Sequence, residues 1–112
     1  MSMARPQQTP SPRAVALLVP DNVETVVQSF TVPGGSIWLD EVVCTGTWAA
    51  EFRFYVDGVH VETKRLEVSN GHVAFDLRPG KKLRQGQVAE ARVVHYHAGE
   101  AHDFEATFKF HR

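Results

Sequence analysis

Three histidines, His95, His97 and His102, sit close together in a chain of 112 residues that holds six in all. A His-x-His on a strand puts both rings on one face, and a third His across from them completes a trio suited to zinc or nickel. The competing reading is a wet hairpin end, with Tyr96 and Glu100 beside the rings, and no metal or other cofactor is expected. Asp40-Glu41 and the Glu100/Asp103 pair are acidic, but carboxylates at strand ends are ordinarily solvated. No nucleophile elbow is present, and no glycine-rich phosphate loop follows a strand, so an enzyme is not expected. Cys44 is the lone cysteine. It excludes an internal disulfide, fits a reducing compartment of synthesis, and is expected to be a small buried apolar residue.

Two other groups invite a ligand. Trp38, Trp48 and Tyr55 would stack sugars if they shared a face; otherwise they cap the core or an interface. Arg78 to Gln85, RPGKKLRQ, reads as a basic surface loop turning at Pro79-Gly80, suited to phosphate or an acidic partner or simply solvated. It has no interleaved aromatics, and the formal net charge is −1, so nucleic acid is not expected. The longest apolar run, Ala14 to Val19, falls far short of the about 18 residues of a membrane helix. Pro and Gln stand where a signal peptide would be hydrophobic.

These side chains must be positioned by strands. In AEFRFYVDGVHVETKR, Ala50 to Arg65, Asp57-Gly58 supplies the two positive-φ residues of a tight hairpin turn. The unbroken register pairs Val56 with Val59, Phe54 with Val61 and Phe52 with Thr63 on a core face. On the outer face it pairs Tyr55 with His60, Arg53 with Glu62 and Glu51 with Lys64, two opposite-charge pairs. Thr25 to Val32 reads as a strand with Val26, Phe30 and Val32 on one side. Ser36 to Cys44 is another, and His72 to Leu77 a third after the Ser69-Asn70-Gly71 turn. Gln87 to His97 and His102 to Arg112 are expected to form a closing hairpin, setting Val93 against Ala106, Ala91 against Phe108, Ala89 against Phe110 and Glu90 against Lys109.

No helix-period segment or internal repeat is found. Seven or eight short strands with frequent turns predict an all-β, antiparallel β-sandwich, jelly-roll or immunoglobulin-like, over residues 21–112. Residues 1–20 carry four prolines, two arginines and no acid, and read as an extended arm that cannot fold alone. Stretched out, 20 residues reach roughly 65–70 Å. Strand addition of AVALLV to a neighbour's edge would bury Val15, Leu17 and Val19 on one face, with Arg13 pairing an acidic group.

GTWAAEFRFYVDGVHVETKR, followed by QVAEARVVHYHAGEAHDFEATFKFHR, resembles a type of small β-sandwich domain in tailed-bacteriophage virions. There, a hairpin of the form E-F-x-x-Y-x-D-G lies mid-domain and a V-x-H-Y-x-x-G-E-x-x-D-F-E-A-T ending, here Val93 to Thr107, closes it. The resemblance spans about residues 22–112. It implies a non-enzymatic structural part of the particle (capsid decoration or cement, neck, tail or baseplate), made in the host cytoplasm and located in the virion. The implied partners are other virion proteins and copies of the chain, with no nucleic acid and no membrane. The rival function is a carbohydrate- or host-surface-binding module at a tail tip, using Trp38, Trp48 and Tyr55.

Overall fold

A computed structural model describes residues 13–112. Eight strands follow in order: β1 (Arg13–Val19), β2 (Thr25–Thr31), β3 (Ile37–Gly46), β4 (Ala50–Val56), β5 (Val59–Leu66), β6 (His72–Leu83), β7 (Val88–Val94) and β8 (His102–His111). They form two four-stranded antiparallel sheets, ordered β1-β8-β3-β6 and β2-β7-β4-β5. The ladders β1·β8, β2·β7, β3·β6 and β4·β5 are those of one long hairpin rolled up on itself, the jelly-roll order. An immunoglobulin-like sandwich groups its strands differently. Asp57-Gly58 is the tip of that rolled hairpin, with φ of 51° and 78°. Asp57 also accepts hydrogen bonds from the Val88 amide and Gln87 Nε2, both at 2.9 Å, which fasten the tip to the head of β7.

Between the sheets lie Ile37, Leu39, Val42, Cys44, Phe75, Phe104, Ala106 and Phe108 from one, and Phe52, Phe54, Ala89, Ala91 and Val93 from the other, all buried. Alanines on β7 leave room for phenylalanines: Ala91 lies beside Phe54 in the register, while Phe30 packs on Phe108 and Phe110. Gly46 is required by packing, because a Cβ there would come within 2.3 Å of the Phe104 ring. Burial pushes the Cys44 thiol up to about 12, as suits a small apolar core residue.

Several local expectations are corrected. The β4–β5 register holds at Val56/Val59 and Tyr55/His60, then slips by one residue, so that Phe54 faces Glu62 and Phe52 faces Lys64. An unbroken register would have set Arg65 opposite Ala50 on the core face. The bulge at Val61 sets Leu66 there instead, where it is buried, and leaves Val61 exposed. The predicted Arg53–Glu62 and Glu51–Lys64 pairs therefore do not form. A second bulge, in β2, turns Val27 inward and Val26 outward. The predicted closing hairpin is absent: β7 pairs with β2 and β4, whereas β8 pairs with β1 and β3 in the other sheet. The intervening segment contains a turn, closed by the Glu100 amide on the His97 carbonyl at 3.0 Å with Gly99 at φ 77°, but it carries the chain across to the other sheet instead of pairing β7 with β8. The basic segment is not a loop, since β6 runs through Arg78, Pro79, Gly80, Lys81 and Lys82 to Leu83, with a register break opposite Asp40. Finally, Arg13–Val19 is a strand of this same sandwich, hydrogen-bonded to β8, and not part of an arm outside it. The part of the arm expectation that falls on residues 1–12 lies outside the described residues.

Candidate functional site

The three histidines do meet, at the end of the sandwich where β7 crosses to β8. His95 is fully buried. Its Nε2 lies 2.8 Å from the Val19 carbonyl and must donate, while Nδ1 accepts the His97 amide at 3.2 Å. Both nitrogens are thus spent on backbone, and the ring ties the end of β1 to the crossing loop. His97 Nδ1 and His102 Nε2 are 2.8 Å apart with their rings 15° from coplanar. This pair lies flat on the Trp48 indole, with centroids at 4.1 and 5.0 Å. Thr47 Oγ1, from the corner between β3 and β4, lies 3.4 Å from His102 Nδ1 and accepts the Asp103 amide at 3.1 Å. Among the described residues, no three His, Cys, Asp or Glu side chains are disposed to hold a metal ion.

The aromatic trio is not a platform. Trp38 and Tyr55 alternate with buried neighbours on β3 and β4, so they point from opposite outer faces of the sandwich. Trp48 lies at the end under the histidines, the Arg92 guanidinium covers Tyr55 at 4.0 Å, and Lys82 stands 5.7 Å from the Trp38 ring centre. Three of the four acidic side chains, Asp40, Glu41 and Asp103, are engaged as well. Asp40 binds His111 Nδ1 at 2.7 Å, Glu41 lies 3.7 Å from Lys109, and Asp103 Oδ1 accepts the Leu18 amide at 2.8 Å. Within the basic segment, Arg78 binds Asp76, whose carboxyl it holds down to about 2.

A charge network that sequence reasoning missed covers the outer face of the second sheet. Arg53 and Arg92 are register partners on β4 and β7, a like-charge placement that is unfavourable alone. Glu24, just ahead of β2, resolves it by accepting from Arg53 at Oε2 and from Arg92 at Oε1, while Glu51 and Glu90 accept from the remaining guanidinium edges. Hydrogen bonding to Arg92, then to Arg53 and Tyr55, outweighs desolvation and holds the Glu24 carboxyl below its ordinary range. The Glu51-x-Arg53 and Glu90-x-Arg92 spacings were visible; Glu24 is remote from both in sequence and left no signal.

The last feature is the edge of the first sheet. In β1 the predicted set divides: Val19 is 2% exposed and belongs to the core, whereas Val15 and Leu17 are 48% and 68% exposed. A bulge between Ala16 and Val19 adds Leu18, at φ 54° and 73% exposed. Arg13 pairs with Glu105 of the adjacent β8. Past Arg13, the strand carries no charge, and among the described residues its second edge is bonded to no strand. Searches of protein-family models, curated proteins and solved structures found no match to this chain.

Proposed function

We propose that this chain is a non-enzymatic structural subunit of a tailed-phage particle, joined to neighbouring virion proteins and to copies of itself. The observation that carries the reading is the uncharged outer edge of β1. There Val15, Leu17 and Leu18 stand exposed beside backbone groups able to receive a neighbour's strand. Because β1 is already bonded to β8, the neighbour adds to β1; the segment does not leave its own sandwich. The jelly roll supports the reading as a scaffold used in capsids, although the same scaffold serves lectins. The mid-domain hairpin and the Val93–Thr107 ending supply the likeness to phage virion domains. In a symmetric particle, one modest edge contact repeated many times becomes a firm attachment. The partners are proteins, not nucleic acid or membrane.

The test is to purify particles from infected cells, measure this chain's copy number by quantitative mass spectrometry, and locate it by electron microscopy. A fixed, symmetry-related copy number with β1 against a neighbouring subunit is expected. Absence from washed particles, or an attachment leaving β1 in solvent, would overturn the proposal.

A further inference from the structure

The histidine end carries a property independent of any particle. The hydrogen bond between His97 Nδ1 and His102 Nε2 needs one nitrogen that donates and one that accepts. A neutral pair satisfies it, as does a pair with one extra proton. A pair with two extra protons cannot, because every ring nitrogen is then a donor and two charged rings face each other 2.8 Å apart. The groups around the pair come from four places. Val19 O and Asp21 come from β1 and its following turn, Thr47 and Trp48 from the corner after β3, His95 and Glu100 from the crossing segment, and Asp103 from β8.

We propose that the His97–His102 pair is a proton-operated latch. Uptake of the second proton breaks the ring-to-ring bond, lifts the crossing loop from Trp48 and loosens the end of β1. The route to β1 is short. The His97 amide is bound to His95 Nδ1, whose other nitrogen holds the Val19 carbonyl, and Asp103, next to His102, holds the Leu18 amide. Asp21 Oδ2, which accepts the Gly99 amide at 3.4 Å, keeps the far side of the loop attached.

The electrostatics run in the same direction. Burial first, then the charges of His95 and His97, lower the His102 pKa, with Glu100 and Asp103 opposing. A histidine lowered in the folded state binds its proton more readily when released. The latched form therefore keeps its full advantage above the ordinary histidine value of about 6.5. It loses that advantage as the pH falls from there through the lowered value.

Full-length protein carrying Trp38→Phe, so that Trp48 alone reports, would be titrated from about pH 7.5 to about pH 4.5, spanning the histidine range. Trp48 emission, amide exchange at Leu18 and Gly99, and far-ultraviolet circular dichroism would be followed. Expected is a reversible red shift of emission, with loss of amide protection at Leu18, while the β signal stays constant. His102→Phe keeps a ring on Trp48 but takes up no proton, and should abolish the transition. Should that variant not fold, His97→Gln, which retains a hydrogen-bonding group without the charge, serves the same purpose. A wild-type response that is flat until global unfolding, or a transition that survives in the folded variant, would overturn the latch.

Discussion

The edge strands β1 and β5 occupy opposite corners of the sandwich and solve the same problem differently. Among the described residues each has one backbone edge with no strand beside it, which invites association unless it is blunted. On β5 the bulge sets Glu62 and Lys64 on the side facing the core, opposite Phe54 and Phe52 and 3.6 Å from each other. A strand docking there would have to bury two charges, so the exposed Val59 and Val61 near the tip do not make β5 adhesive. On β1 no charge follows Arg13, and the bulge displays Leu18 instead of hiding it. One edge is defended and the other is left open. That asymmetry is why β1, rather than β5, is assigned the contact.

The comparison can be broken most forcefully through the inward residues of the two strands. Val19→Asp, which places a charge at a fully enclosed site, should abolish the cooperative melt. Leu66→Ala should destabilise by about 2–5 kcal/mol in denaturant titration, the cost of truncating a buried leucine. If Leu66→Ala is neutral, the bulged register that buries it is wrong.

A smaller effect is expected at Glu24, on the same flank of the sandwich as β1. Glu24→Gln leaves Arg53 and Arg92 adjacent without their shared carboxylate and should cost about 1–2 kcal/mol, above an isolated surface pair because the groups form a network. The pH dependence follows from the lowered carboxyl. Its contribution is complete above the ordinary glutamate value of about 4.3 and is lost as the pH falls through the lowered one. Wild type and Glu24→Gln should therefore converge in stability in acid, and a gap that persists there would dismiss the network as a source of stability.

The smallest stability effects belong to the defended edge itself. Glu62→Ala or Lys64→Ala should each cost well under about 1 kcal/mol, since both side chains remain substantially exposed. The combined change Glu62→Val and Lys64→Val should nevertheless make β5 adhesive, visible as concentration-dependent association in sedimentation. Association no greater than that of the wild type would show that charge is not what protects β5.

The legible part of this fold was the part with local turn chemistry. Asp57-Gly58 placed the central hairpin, and alternation marked Phe52 and Phe54 as core. The bulge at Val61 was invisible because it answers to the competition of Leu66 and Arg65 for one inward position far along the strand from the turn. Alternation also could not say which sheet β7 and β8 belong to, since the inner faces of both sheets carry the same pattern. The β1·β8 ladder joins nearly the two ends of the sequence, and no periodicity encodes such a pairing. His95, His97 and His102 were nonetheless expected together for an insufficient reason. A tight hairpin and a crossing between sheets both return the chain to the same end, so the cluster survived an incorrect pairing, whereas its partners Thr47, Trp48 and Val19 were unseen.

The measurement that bears most directly on the central claim is a competition between wild type and the variant Val15→Lys/Leu17→Lys for incorporation into particles. Both side chains point to solvent, so the isolated variant should melt as the wild type does, within about 0.5 kcal/mol for exposed surface positions. Its share in assembled particles should nevertheless fall to a small fraction of its share in the lysate. Equal incorporation of the two chains would contradict the assignment of the β1 edge as the surface through which this protein acts.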